Sequence, residues 1–266
     1  MKPSAGALTI DSLLHTPGPP WIIRRSTHFV VHLERGGGEM ASPAIVNSLE
    51  AAWTYDTKLI GSPVPDAPPV AVFVTASRTR FSSVIPPHVK GLTMRMQTGE
   101  DFVILVHNDS VRAYSRHEVM HLVSFRAWGF PGPSATWLVE GVATFADGRC
   151  QGTTINAVAR DILSQANAPT MQDVTHKFFD LMLDDRARAY VLAGTLTGYL
   201  WETRGVGAVK ALWQGKDTLT ALPTRVGSVG GAFLVDPAEA WRSYVRHAAD
   251  TAAGISAASL RRFGCG

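Results

Sequence analysis

The chain has 266 residues, of which 45% are hydrophobic and 18% charged, with a formal net charge of +3. That composition is globular and long enough to bury a substantial core, which excludes a disordered or fibrous chain. A charge of +3 spread along the chain is too small to predict nucleic-acid binding, and no run reaches the ~18 apolar residues of a membrane span.

In chain order, residues 29–33 predict an extended strand and residues 43–59 an amphipathic helix. Residues 70–75 follow as a strand, and a short helix is expected around 78–84. Two further strands are expected at 91–96, opening on Gly91 and closing on Met96, and at 102–107. Asn108, Asp109 or Ser110 then supplies an N-cap for a helix over 111–128, and Gly129, Pro131, Gly132 and Pro133 end it. Ser134 or Thr136 can cap the next helix. Beyond it the pattern is helical to the end, with Asp236-Pro237 as a start signal.

The most informative residues are His117-Glu118-Val119-Met120-His121. Helical residues four apart differ by roughly 40° around the axis and roughly 6 Å along it, so both imidazoles leave one face and can converge on one ion. Glu118 projects about a quarter-turn away. It is poorly placed to be a ligand but can reach a water on the open position of a zinc ion, whose pKa the metal lowers towards ~7. In the 111–128 helix, Arg112, Arg116 and Arg126 share one sector, opposite His117 and His121 with Tyr114, Phe125 and Trp128. Two histidines alone make a weak site, so a third protein ligand is needed.

Glu140 lies eighteen residues beyond His121 counting only those between, in Trp137-Leu138-Val139-Glu140-Gly141-Val142-Ala143. The histidine motif followed by this segment resembles the gluzincin branch of zinc metallopeptidases, in particular small bacterial peptidase-MA-like proteins. The resemblance extends over roughly residues 20–250, although only the zinc motif is specific. It includes Tyr190-Val191-Leu192-Ala193-Gly194, Gly198-Tyr199-Leu200, Gly205 and the segment around Trp241.

The resemblance implies one zinc held by His117, His121 and Glu140, with Glu118 as the catalytic base and a peptide or protein as substrate. It implies an α+β, zincin-like fold: an amino-terminal lobe with a mixed sheet and the active-site helix (20–128), and a helical lobe with the third ligand (129–266), the zinc lying in the cleft between them. The alternative is a non-catalytic zinc-containing binding or scaffolding module. Glu118 has little use in such a module, and structural zinc sites usually fill the fourth position with a protein ligand.

Many gluzincins carry a carboxylate four residues beyond the third ligand, where it orients a ligand histidine. Here that residue is Thr144, whose hydroxyl accepts more weakly, and Asp147 shares the Glu140 face if the helix extends that far. Tyr190 is the expected oxyanion donor, with Tyr199 and His176 as the other candidates. Strand 91–96 is expected at a sheet edge, where an extended peptide can add as a further strand.

Cys150 and Cys265 are the two cysteines, and in an exported protein a bridge between them could tie the tail back to the active-site lobe. The first fourteen residues hold a short apolar stretch broken by Asp11 and do not make a signal peptide, which taken literally makes the chain cytoplasmic. The resemblance points instead to export, with the signal absent from this chain. Asp184, Asp185, Arg186 and Arg188 read as a salt-bridged helix surface, and Ala193, Gly194, Thr197 and Gly198 as a close helix contact.

Overall fold

The computed structural model describes residues 9–15, 20–35, 42–81, 89–96, 99–108, 115–150, 153–219 and 236–251. The chain is α+β and divides into two compact units, Met1–Ala127 and Trp128–Gly266.

The first unit is built on five strands: β1 (Trp21–Arg25), β2 (Phe29–Glu34), β3 (Val70–Thr75), β4 (Gly91–Arg95) and β5 (Asp101–Val106), with spatial order β1-β2-β3-β5-β4. β2, β3 and β5 run parallel, while β1 and β4 close the two edges antiparallel. β3 and β5 are buried at every position, which is why they read as unbroken apolar runs without alternation. The helix α2 (Ser42–Ile60) makes the crossover between the parallel strands β2 and β3 and lies against β2, where Trp53 meets Phe29 edge-on at 5.9 Å. Val31, Val72 and Val103 stand in register on one face.

The other face carries Ala71, Phe73, Phe102 and Ile104, packed with Leu13 from the short helix α1 (Ile10–Leu14), with Phe81 and with Trp21. His32 belongs to this cluster, stacked on Phe73 at 4.9 Å and only 6% exposed. Burial first, and the Arg25 charge second, hold its pKa below the ordinary histidine value, so it packs as a neutral ring.

The expected short helix near 78–84 is a single tight turn, Arg78–Phe81, among the described residues. The expected strand 91–96 runs one residue past the observed one, and the expected strand 102–107 is shifted by one residue at both ends. α1 and β1 were not foreseen; β1 is half polar, and its pairing with β2 makes it a strand. The helix α3 runs Ser115–Trp128. Asp109, Ser110, Val111, Arg112 and Tyr114, invoked for its first turns, lie outside the described residues, and Asn108 donates from its side chain to the Ala76 carbonyl at 2.9 Å.

In the second unit, α4 (Thr136–Asp147) follows a tight turn, Pro133–Ala135. Neither Ser134 nor Thr136 caps it: Ala135 occupies the cap position and no side chain bonds there, because the turn leads directly into the helix. The preceding loop is tied down instead by distant partners. Trp213 Nε1 donates to the Gly129 carbonyl at 2.9 Å, Gln214 Nε2 to that of Trp128 at 3.1 Å, and the Gly132 amide to that of Trp213 at 2.7 Å. Gly148, at φ +67°, ends α4 in the left-handed conformation that glycine adopts without strain.

A short hairpin of β6 (Arg149–Cys150) and β7 (Thr153–Thr154) interrupts the expected run of helices. Then come α5 (Ile155–Leu163), α6 (Met171–His176), α7 (Phe178–Asp184), α8 (Arg186–Trp213) and α9 (Pro237–Thr251). α8 breaks its path at Gly205, φ +79°. The salt-bridged surface expected around 184–188 does not form: Asp185 caps α8 by accepting from the Arg188 amide at 3.0 Å, and Arg188 donates to the Asn167 carbonyl at 3.2 Å. The orphan amides at a helix start compete with the arginine side chains for the Asp185 carboxylate.

Cys150 is buried, and Cys265, the other end of the bridge considered above, lies outside the described residues. Among the described residues, no helix is long and apolar enough to cross a membrane.

Candidate metal centre

α3 carries the histidine motif with a polar face and an apolar one. Val119, Met120, Leu122 and Val123 are fully buried and hold the helix in place, while His117 is half-buried and His121 is 7% exposed. The two imidazoles meet edge to face, centroids 4.8 Å apart, with their Nε2 atoms separated by 3.1 Å. Two lone pairs at that distance repel unless a positive centre sits between them, either a proton on one ring or a shared metal ion. Two nitrogens ~2.05 Å from a tetrahedral ion stand about 3.3 Å apart, so the spacing admits either a shared proton or a shared ion.

Glu118 leaves the helix in another direction and is 5% exposed. The Thr93 hydroxyl on β4 lies 2.8 Å from Glu118 Oε2 and 2.8 Å from the Glu118 main-chain oxygen, donating to both. Gly91, two residues earlier on the same face of β4, provides the room: a Cβ there would stand 2.4 Å from Glu118 Oε1 and 2.8 Å from its Cγ and Cδ. An alternating strand therefore fixes the carboxylate from two points. The contact of Gly91 with Glu118 is non-local and has no local signal in the sequence.

Among the described residues β4 is paired on one side only, by β5, which places it at the edge of the sheet next to Glu118. Arg95, next on the same face, donates to the Phe125 carbonyl at 3.4 Å and faces Asp101 at 3.7 Å. Asp101 is held more closely by Arg126, at 2.7 Å. Of the arginine sector on α3, Arg116 lies over the Tyr55 ring at 4.2 Å, and Arg126 is covered by this ion pair and by Trp53.

Glu140 sits mid-way along α4 and is half-buried. Among the described residues, His117, His121 and Glu140 are a group that could hold a metal ion, a donor set of two nitrogens and an oxygen that several divalent metals accept.

Thr144 does not take the orienting role considered for it. Its Oγ1 is buried with no hydrogen-bond partner among the described residues, and its methyl group lies 2.8 Å from where a Cβ on Gly194 would be. It is a packing residue between α4 and α8. α4 does extend to Asp147, seven residues past Glu140 on the same face.

Among the oxyanion candidates, Tyr190 is half-buried in the first turns of α8 and stacked with Phe178, centroids 6.2 Å apart. Tyr199 is 5% exposed and packs on Tyr244. His176 is exposed, its Nδ1 satisfied locally by Thr175 at 2.8 Å.

No protein-family model matches the sequence, and no curated protein matches it.

Proposed function

We propose that this protein is a zinc-dependent peptidase of gluzincin type, with a zincin-like fold, hydrolysing amide bonds. The observation that carries the reading is the pair of Nε2 atoms 3.1 Å apart on α3, beside a buried carboxylate that is not aimed with them. A purely structural site has no need of Glu118 held by Thr93 and accommodated by Gly91.

His117, His121 and Glu140 would hold the ion. When bound, zinc supplies Lewis acidity that brings the pKa of a water towards ~7. Glu118 then takes the proton from the attacking water and passes it to the leaving amine. Thr93 sets the carboxylate's direction by donating to Oε2, so the base meets the water in one orientation. An extended substrate would add along β4 at the edge of the sheet, its main chain pairing with the strand and alternate side chains facing away.

Metal analysis of the purified chain, combined with cleavage of a mixed peptide library with and without a chelator, tests this reading. One zinc per chain and chelator-sensitive cleavage support it. Zinc without any cleavage would favour the non-catalytic module, and no bound metal would overturn both.

Gly91→Ala probes the contact between strand and base. The added methyl must displace the far end of a flexible side chain, which costs little stability but moves the carboxylate by an ångström or more. Turnover is expected to fall by about 10- to 100-fold, with metal content and melting temperature nearly unchanged. Unaltered turnover would show that Glu118 need not occupy this position.

Tyr190 is assigned to the developing oxyanion. Tyr190→Phe keeps the ring and its stacking on Phe178 while removing only the hydroxyl. An oxyanion donor lost in this way costs about 2 to 4 kcal/mol, mostly in kcat. Wild-type turnover would transfer the role to Tyr199 or His176.

A further inference from the structure

The first unit holds a cavity of about 380 Å³ that the proposed chemistry does not use. Its lining includes His28, Trp53 and Arg126, together with Pro63, Pro65 and Asp66 from the loop after α2. The volume falls within the span of small-molecule pockets, roughly 300 to 1,000 Å³.

Two ionic groups set its chemistry. Arg126 has a side chain only 9% exposed, anchored where Nε donates to Asp101 Oδ2 at 2.7 Å, with the guanidinium carbon 5.7 Å from the Trp53 ring centre. Anchoring through Nε leaves the two terminal nitrogens without a hydrogen-bond partner among the described residues. That edge of a guanidinium is a fork matched to the two oxygens of a carboxylate. Asp66 is exposed on the loop and makes no ion pair or hydrogen bond among the described residues, so the same cavity also offers a negative group.

The rest of the wall narrows the choice further. The His28 ring is stacked on Trp53 at 4.6 Å and tied through Nδ1 to Glu50 Oε2 at 2.6 Å. Burial pushes the Glu50 carboxyl up, but hydrogen bonds from the His28 ring, from Ser26 and from the His28 amide outweigh it and hold the pKa below the usual value. Glu50 is thus ionised and keeps the Nδ1 proton facing it, leaving Nε2 as the ring's remaining polar atom. Trp53 is already engaged by His28, Phe29 and Arg126, so the cavity offers no bare indole platform for a sugar or a nucleobase. A dianion such as phosphate would meet a single guanidinium in a cavity that also holds the Asp66 carboxylate.

We propose that this cavity binds a small zwitterion, a free amino acid or a dipeptide, with its carboxylate on the terminal nitrogens of Arg126 and its ammonium at Asp66. The site shares no residue with the metal group, and its failure leaves the peptidase reading untouched.

Isothermal titration of the full-length chain with alanine and alanyl-alanine, and with their N-acetylated and C-amidated forms, tests it. The Glu118→Gln background prevents turnover of any probe. The free zwitterions are expected to bind, and blocking either terminus to weaken binding by about tenfold or more. Asp66→Asn lies on an exposed loop and leaves the fold intact; in it, the free and N-acetylated probes should bind alike. Arg126→Gln should abolish the preference for a free carboxylate, and circular dichroism shows whether that variant folds. If it does not, the Asp66→Asn comparison decides alone. No binding of the zwitterions at about 10 mM, equal binding of free and blocked probes, or binding unchanged by Asp66→Asn would overturn the proposal.

Discussion

Replacing Glu118 with Gln is expected to leave the metal bound and to cut hydrolysis by about two to four orders of magnitude. Gln is isosteric, and its amide oxygen can keep the hydrogen bond that Thr93 donates, so neither α3 nor its contact with β4 should be disturbed. The amide cannot accept the proton that the attacking water must lose. His117 and His121 present their nitrogens independently of residue 118, which is why metal content and catalysis should separate. Both are measured on one sample, by metal analysis and by initial rate. A variant that loses its metal would make Glu118 a ligand or a structural residue, and one with full turnover would remove it from the chemistry.

The largest effect on stability is expected at Gly141, the residue after Glu140. A Cβ there would stand 2.4 Å from Thr197 Oγ1, 2.9 Å from the Ala193 carbonyl oxygen and 3.2 Å from its carbon. The last two are backbone atoms of α8 and cannot swing aside, so Gly141→Ala must push α4 and α8 apart across a packed contact. Overpacking of this kind costs about 1 to 3 kcal/mol, or roughly 2 to 12 °C in melting temperature for a chain of this size. Gly207→Ala is the control. Nothing lies within 4 Å of its added methyl, and it is expected to be neutral or to gain about 0.5 to 1 kcal/mol. Since Glu140 is carried by the displaced helix, the Gly141 variant should also bind metal more weakly. An unchanged melting temperature would mean that the two helices are less tightly packed than the distances require.

These two residues differ in how far sequence reading could reach them. The spacing of His117 and His121 is local. Four residues on a helix bring two rings to one face whatever else the chain does, so their meeting was legible, and so was the separate direction of Glu118. The strand β3 was likewise legible, because a β-branched run buried on both faces has few alternatives. The small residues Ala193, Gly194 and Thr197 were read correctly as a close helix contact, since small side chains in mid-helix have little other purpose.

Tertiary structure decided what depends on a partner distant in sequence. Gly91 and Thr93 hold Glu118 because β5 draws β4 to the sheet edge beside α3, a pairing that no local pattern announces. Thr144 was open to an orienting role until its methyl group proved to fill the space left by Gly194. Arg126 and Asp101 became one ion pair, and Asp185 a helix cap in place of a surface salt bridge, because charged side chains select among several partners that only the packed chain brings within reach. Local geometry follows from the backbone's few allowed conformations and is written in short spacings. Pairing across the chain is a competition among distant groups, and the fold settles it.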